Sequence, residues 1–368
     1  MQHIRNFSHQ GVLLLFSLAL ICSCSGTPRK PSRPVITLEI LPAGKSYRAG
    51  NPISLKIKTK VKEGELAKIE VFLNNQLLIS GDQPEIIHDV IAAEVTGVNT
   101  VKVYAEKKDG RNATLIRNFT VLSDKAPKAC TYRVIREYPH STTHFTQGLE
   151  FHDGFLYEGT GENGKSAIYK SLLPTGKIVK SVPLDDLYFG EGITILNGKI
   201  YQLTYKHQKG FVYDLSDFAV IDSFSFASQE GWGLTNDGKY LIMSDGTENL
   251  TWLDPVTFKV IKKVQVVDHQ KVFGNLNELE YDQGHIWANV WGIDMLLRID
   301  AATGKVTSLL DLKGILSVMN QTQSDRIDVL NGIAVLPSGN LLVTGKLWPK
   351  MFEIAPDCSE EGGAVSIP

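Results

Sequence analysis

The sequence predicts an all-β protein in which most of the chain consists of five similar units. A short apolar stretch headed by a polar or aromatic residue recurs at intervals of roughly 40–50 residues, a spacing typical of propeller blades. Each stretch leads into a turn such as Asp153-Gly154 and then into another alternating stretch, which is the pattern of a β-hairpin. Four strands per unit predict a five-bladed β-propeller, with the five heading residues at one end of its central channel. These residues are Gln147, Glu191, Trp232, Asn277 and Asn331.

Residues 1–24 are predicted to be a targeting segment. The apolar run from Gly11 to Ile21 is too short to span a membrane comfortably. It ends in Ile21-Cys22-Ser23-Cys24, which resembles a bacterial lipobox, so we expect acylation of Cys24. An ordinary cleaved signal peptide is the alternative. The prediction is an exported lipoprotein, anchored to the membrane by its lipid and facing the periplasm or the cell surface, with residues 25–33 as a tether.

Residues 34–122 form a separate unit in the predicted domain organisation. Several short segments there alternate apolar with polar residues between turn signals, which favours a small β-sandwich. The pattern resembles immunoglobulin-like modules but lacks their Cys-Trp-Cys signature. The predicted fold is therefore an Ig-like β-sandwich, a linker over residues 123–129 and a five-bladed β-propeller over residues 130–368.

The fifth unit is short, and it needs a strand from elsewhere in the chain. If residues 132–138 pair as its outer strand, the ring closes without open edges. That pairing brings Cys130 beside Cys358, and two cysteines in an exported protein can form a disulfide. We expect this bridge; two buried free thiols are the alternative.

Composition and two further motifs limit the functions to be considered. The chain of 368 residues has 43% hydrophobic and 21% charged residues and a net charge of -2, so nothing indicates nucleic-acid binding. Residues 159–166 match a phosphate-loop pattern, but residues 167–172 alternate as a strand where that loop requires a helix. His140 and His144 have the spacing of a metal-binding pair, but they lie in a predicted loop with no third ligand nearby. We therefore expect no metal and no other cofactor in catalysis.

The heading residues, together with nearby aromatic residues and Lys346, predict a small-ligand site. Glu is seldom fully buried unless it is paired, so Glu191 inside an apolar strand is unusual. Each of these residues has a simpler alternative role. Glu191 would then be a structural carboxylate, and Lys346 a solvated surface lysine. Trp232 and Trp291 would only fill the channel. Placed together on one rim, these residues form a polar pocket with aromatic walls, as expected of a substrate site.

Five segments resemble the glutaminyl-peptide cyclotransferases of the plant and bacterial type. They are residues 144–149, 189–194, 230–234, 276–281 and 344–348. The resemblance covers about residues 130–358 and implies a five-bladed propeller that cyclises N-terminal glutamine of a peptide or protein to pyroglutamate. Ammonia is released, and no catalytic zinc is involved.

The resemblance also assigns expected roles to individual residues. It implies that Glu191 shuttles the proton, and that Lys346 and Asn277 join it as catalytic residues. Tyr205 stands where the resemblance would place a tryptophan. The expected substrate-binding residues are Gln147, Phe145, Phe189, Trp232, Trp291 and Tyr205, together with Asn331, which is included for its equivalent place in the fifth repeat.

Two other functions are weighed against an acyl-transferring enzyme of this kind. A non-catalytic, surface-anchored propeller that binds peptides or glycans would tolerate loss of the acid, yet Glu191 is present. A sugar-processing propeller would require two facing carboxylates, and Glu191 is the one acid among the five heading residues.

Overall fold

The structure is a computed structural model that describes residues 32–316 and 327–358. All regular secondary structure in these two ranges is β, in strands β1 to β28. Within the same ranges, no helix is long and apolar enough to cross a membrane. The predicted signal segment and the acylation of Cys24 lie outside the described residues.

The first eight strands form two sheets that share one core. One sheet has the order β1-β3-β6 and the other β2-β8-β7-β4-β5. Strict alternation turns Ile53, Leu55 and Ile57 inward against residues such as Val71 and Val103 of the other sheet, which makes this unit a β-sandwich. Its likeness to immunoglobulin-like modules stays a prediction. The strands are β1 Val35–Leu41, β2 Ser46–Arg48, β3 Pro52–Lys60, β4 Leu66–Leu73, β5 Gln76–Gly81, β6 Glu85–Ile91, β7 Gly97–Lys107 and β8 Asn112–Leu122.

The remaining strands form five four-stranded blades, which confirms the predicted propeller. Sharp turns separate the strands; Asn197 and Gly198, for example, both have positive φ (52° and 72°), as a two-residue hairpin turn requires. Residues 161–166 form a turn, and a strand follows them, so the rejected phosphate loop is indeed not one. The first three blades are β10 Thr146–His152, β11 Phe155–Thr160, β12 Ala167–Leu172 and β13 Lys177–Pro183; β14 Gly190–Leu196, β15 Lys199–Thr204, β16 Lys209–Asp214 and β17 Val220–Ser225; and β18 Leu234–Asn236, β19 Leu241–Ser244, β20 Asn249–Leu253 and β21 Val260–Gln265.

The last two blades are joined by the strand that precedes the ring. Strand β9 (Lys128–Pro139) pairs antiparallel with the last strand of the chain, as predicted, and its first residues pair parallel with β25, which was not predicted. The result is one eight-stranded sheet. The Cys130–Cys358 disulfide is present beside this strap and confirms the prediction. The strands are β22 Leu276–Asp282, β23 His285–Val290, β24 Met295–Asp300, β25 Val306–Asp311, β26 Leu330–Val335, β27 Leu341–Gly345 and β28 Lys350–Asp357.

Neighbouring inner strands lie very close to one another around the axis of the propeller. The inner strands are β10, β14, β18, β22 and β26. A Cβ on Gly148 would lie 2.4 Å from the backbone nitrogen of Ile193, and one on Gly192 would lie 2.4 Å from that of Leu234. The glycines that follow the heading residues are therefore required by the neighbouring blade.

A buried carboxylate also fastens the ring from inside. The side chain of Glu278 accepts hydrogen bonds from the backbone N–H groups of Leu149 (3.1 Å) and Ile333 (2.8 Å), so one residue of blade four links blades one and five. Inner strands that are fixed to one another in this way form a rigid support for the side chains at their ends.

Candidate active site

A cavity of about 350 Å³ lies where the inner strands begin, and it collects the predicted residues. The one lining residue that the sequence analysis missed is Asn275, and the one predicted residue that does not line the cavity is Asn331. The lining residues are Phe145, Gln147, Phe189, Glu191, Tyr205, Trp232, Asn275, Asn277, Trp291 and Lys346.

Irregular strand pairing turns the heading residues out of their sheets. The register of the first two strands of a blade shifts at Gln147, at Glu191, at Asn277 and at Asn331. A β-bulge leaves a residue unpaired and redirects its side chain, and bulges are over-represented next to active sites. Four of the five heading residues are thus presented at the channel end by a repeated backbone irregularity, and Trp232 is the exception.

Glu191 is a buried carboxylate with little compensation. It is 4% exposed, and the side-chain amide of Gln147 donates a hydrogen bond to its Oε1 at 3.2 Å. Burial raises the pKa of Glu191 well above its ordinary value, the carboxylate of Glu230 raises it further, and the ammonium of Lys346 opposes both. A carboxyl group held in this way keeps its proton to a higher pH than an ordinary glutamate does, which suits a group that takes up and returns a proton.

Lys346 is buried in the cavity wall, in contrast to the solvated lysine considered as an alternative. Its Nζ lies 4.7 Å from the centroid of the Phe145 ring, at a distance suited to a cation–π contact. Burial lowers the pKa of Lys346, whereas the carboxylates of Glu191 and Asp328 act to raise it. Its backbone N–H donates to the carbonyl oxygen of Val329 at 3.0 Å, which fixes the position of the chain at this point.

Asn331 lies behind the cavity and supports Gln147. Its Nδ2 donates to the carbonyl oxygen of Thr146 at 3.0 Å and to Oε1 of Gln147 at 3.1 Å. Because the oxygen of the Gln147 amide is held by Asn331, its nitrogen faces Glu191. Asn331 therefore contacts Gln147 from behind and does not line the cavity, although the sequence analysis had grouped it with substrate binding.

Asn277 offers an open polar atom. It lines the cavity, is 3% exposed, and its Oδ1 receives no hydrogen bond from the described part of the chain. Buried polar atoms are normally paired, so an unpaired acceptor beside a cavity is an available contact for a ligand N–H group.

Aromatic rings form the walls. Phe145 and Phe189 meet edge to face at 6.0 Å between ring centroids, and Tyr205 follows at 5.7 Å from Phe189. The indole Nε1 of Trp232 donates to Oε2 of Glu230 at 3.0 Å, while Trp291 is half exposed at the rim. These walls limit water in the cavity and strengthen its electrostatic interactions.

The structure corrects the prediction about His140 and His144. A third residue able to bind a metal does lie near them, because the carboxylate of Glu158 in β11 hydrogen-bonds both imidazole rings. Sequence reasoning missed it because Glu158 reaches the two histidines across the first hairpin of blade one. None of the three residues lines the cavity that contains Glu191.

Comparison with known proteins agrees with this geometry. The glutamine cyclotransferase family matches residues 109–355. A glutaminyl-peptide cyclotransferase from Arabidopsis thaliana is 40% identical over 223 residues, which cover 60% of this chain and 70% of that protein. The crystal structure of Myxococcus xanthus glutaminyl cyclase is similar with a TM-score of 0.57 and 34% identity, over 64% of this chain and 100% of that one. With a propeller of five blades and a buried acid in an aromatic cavity, the chain belongs to the glutamine cyclotransferase family.

Proposed function

We propose that this enzyme converts the N-terminal glutamine of peptides and proteins to pyroglutamate with release of ammonia, and that Glu191 carries the proton. The observation that supports the proposal most strongly is a buried carboxylate of raised pKa inside an amide- and aromatic-lined cavity. The reaction is an intramolecular acyl transfer: the acyl carbon of the side chain moves from its amide nitrogen, which leaves as ammonia, to the α-amine. This corresponds to the chemistry of an aminoacyltransferase.

The chemistry requires one proton to move twice. The neutral α-amine attacks the side-chain amide carbon, a C–N bond forms, and the amine gives its proton to ionised Glu191. Protonated Glu191 then delivers that proton to the departing nitrogen, the second C–N bond breaks, and ammonia leaves. General acid–base catalysis of this kind contributes roughly 10²–10⁴-fold to the rate.

The other cavity residues have supporting roles in this proposal. Lys346 stabilises the oxyanion that develops on the attacked carbonyl, and the unpaired Oδ1 of Asn277 accepts a hydrogen bond from an N–H group of the substrate. Gln147 holds Glu191 in place, and Asn331 holds Gln147. The aromatic walls keep the short glutamine side chain folded towards its own amine, which supplies the proximity that ring closure needs.

The test is ammonia release from a Gln-initiated peptide by the purified protein. Glu191→Gln keeps size and hydrogen bonding but cannot accept a proton, so kcat is expected to fall by at least about 10²-fold. Glu137→Gln is a matched control, because Glu137 is a surface carboxylate on the strap that pairs with Lys350. Near-normal turnover in Glu191→Gln contradicts the mechanism. A folded wild-type protein that releases no ammonia favours a non-catalytic peptide- or glycan-binding propeller instead.

Export and lipid anchoring at Cys24 form a further part of the proposal, supported by the sequence of residues 1–24. Membrane fractionation of Cys24→Ala tests it. We expect the variant to leave the membrane fraction; a variant that stays there as the wild type does contradicts acylation at this position.

A further inference from the structure

Behind the active-site strand β10, two histidines and one glutamate are buried against one another. His140 and His144 belong to the loop that leads into β10, and Glu158 belongs to the neighbouring strand β11. Their side chains are 1%, 10% and 5% exposed, respectively. One ligand atom from each of the three lies within 4.8 Å of the others.

The nitrogen atoms of the cluster are oriented as in a metal site. His140 uses Nδ1 for a hydrogen bond of 2.6 Å with the carbonyl oxygen of Trp348, so its Nε2 faces Oε1 of Glu158 at 2.9 Å. Nδ1 of His144 faces Oε2 of the same carboxylate at 2.7 Å. A ring nitrogen that donates to a backbone carbonyl while the other nitrogen faces inward is the usual arrangement of a metal-bound histidine.

The spacing suits zinc after a modest rearrangement. Ligand nitrogen and oxygen atoms at the usual bond lengths around a tetrahedral zinc ion are about 3.3 Å apart. The two contacts to Glu158 therefore lengthen by a few tenths of an ångström, and the most widely separated ligand atoms, which lie within 4.8 Å of each other, move closer together. Two imidazoles and one carboxylate are a common ligand set for this ion.

The surroundings provide the remaining features of a site. A cavity of about 220 Å³ borders all three residues and has room for a water molecule as the fourth ligand. Tyr169 stacks on the His144 ring at 4.2 Å, and the hydroxyl of Thr146 donates to Oε1 of Glu158 at 2.8 Å. Both contacts restrict the orientation of a ligand side chain.

We propose that His140 Nε2, His144 Nδ1 and Glu158 bind one zinc ion in a structural site behind the active-site strand. On binding, zinc replaces the proton that each of the two ring nitrogens directs at Glu158. The proton on Nε2 of His140 leaves to solvent. The proton on Nδ1 of His144 moves to the other nitrogen of that ring or to solvent. The ion joins the loop before β10 to β11. The same loop leads into Phe145 and Gln147, and the backbone carbonyl of His144 accepts from the N–H of Leu347, next to Lys346.

Zinc titration of the full chain after treatment with a chelator tests the proposal. The wild type is expected to bind one equivalent, with a rise in Tm, since a ligand that binds the folded state alone stabilises it. His144→Phe keeps a ring that can stack on Tyr169 but has no ligand nitrogen, so binding should weaken at least about 10-fold and the Tm rise should disappear. His152→Ala is the matched control, because His152 lies in the same blade and is not part of the cluster.

Two outcomes overturn the proposal. One is a wild-type chain that takes up no zinc from micromolar free zinc, and the other is His144→Phe that binds zinc as the wild type does. If His144→Phe does not fold, zinc-edge X-ray absorption of the zinc-loaded wild type decides. Two imidazole nitrogens and a carboxylate around zinc support the site, and fewer than two imidazoles refute it.

Discussion

Glu191 and Glu158 are both buried glutamates in neighbouring blades, and their environments have opposite effects. Glu158 accepts hydrogen bonds from two imidazoles and a hydroxyl; burial would raise its pKa, but the adjoining histidines His140 and His144 lower it far more. Glu191 has one neutral amide donor, and its pKa is raised well above the ordinary value. The comparison shows that the charge of the donors, rather than burial, decides which glutamate stays ionised and which can exchange a proton.

A third buried glutamate adds a condition to this comparison. Glu278 accepts two backbone hydrogen bonds, yet its pKa is also raised well above the ordinary value, by burial and then by the carboxylate of Glu280. Neutral donors therefore do not offset burial in this channel. A raised pKa also does not identify the active site on its own, because Glu278 fastens the blades whereas Glu191 borders the cavity.

The largest effect is expected for Glu158→Gln. Removing the charge leaves His140 buried without its anionic partner, so the free energy of unfolding should fall by about 3–5 kcal/mol. Urea unfolding at neutral pH with a chelator present measures this value. Because folding lowers the pKa of Glu158, its contribution is present above the pKa of the unfolded chain and is lost as the pH falls towards the folded value.

The surface variant Glu137→Gln is the control for that measurement, since an exposed pair with Lys350 contributes little. A loss of less than about 1 kcal/mol in Glu158→Gln would show that His140 carries no buried charge that depends on this carboxylate. That result would remove the electrostatic contrast between the two glutamates.

Glu191→Gln is expected to stabilise the folded protein at pH 8, in contrast to Glu158→Gln, which destabilises it. Folding raises the pKa of Glu191, so its contribution to stability is complete below the unfolded pKa and is lost as the pH rises through the folded pKa. Glutamine cannot ionise and avoids this loss. Thermal melts should therefore coincide at pH 4 and diverge at pH 8 in favour of the variant, by about 1.4 kcal/mol for each unit by which folding raises the pKa.

The same variant thus separates function from stability. It should be at least as stable as the wild type at pH 8 while it releases ammonia far more slowly. A variant that is less stable than the wild type at pH 8 would show that ionised Glu191 is held by favourable contacts, and would contradict the raised pKa.

The sequence predicted the propeller because its signals are local and repeated. Asn197-Gly198 and its counterparts specify hairpins independently of one another, and the short fifth unit required a strand near Cys130. The cavity residues followed because they occupy equivalent places in the repeats. These features depend on spacing along the chain, which a sequence displays directly.

Features that depend on contacts between blades were not predictable. Nothing near Asn331 in the sequence shows that its amide holds Gln147, since the two residues belong to blades five and one. Glu158 is likewise brought to His140 by strand pairing. The bulges that turn Glu191 towards the cavity leave the alternating pattern almost unchanged, so a strand with a bulge and a regular strand are hard to tell apart in sequence.

The smallest expected effect is a shift of the pH profile in Glu230→Gln. The carboxylate of Glu230 raises the pKa of Glu191, so its neutralisation should lower that pKa. Glu191 must be ionised to take the proton of the amine, so the acidic limb of kcat/KM should move to lower pH. Glu230 is partly exposed and lies 3.8 Å from Lys206, so solvent screening limits the shift to a few tenths of a pH unit.

Profiles of wild type and Glu230→Gln with the same peptide measure this shift, because the titration of the substrate amine is then common to both. Glutamine can still accept the indole hydrogen bond of Trp232, which keeps the cavity wall in place.

The shift should shrink at high ionic strength, where interactions between partly exposed charges are screened. Glu162→Gln, at an exposed carboxylate that pairs with Lys165, should leave the limb where it is. A limb that moves to higher pH in Glu230→Gln, or that moves equally in both variants, would mean that a group other than Glu191 sets it, and the contrast between Glu191 and Glu158 would then lose its catalytic meaning.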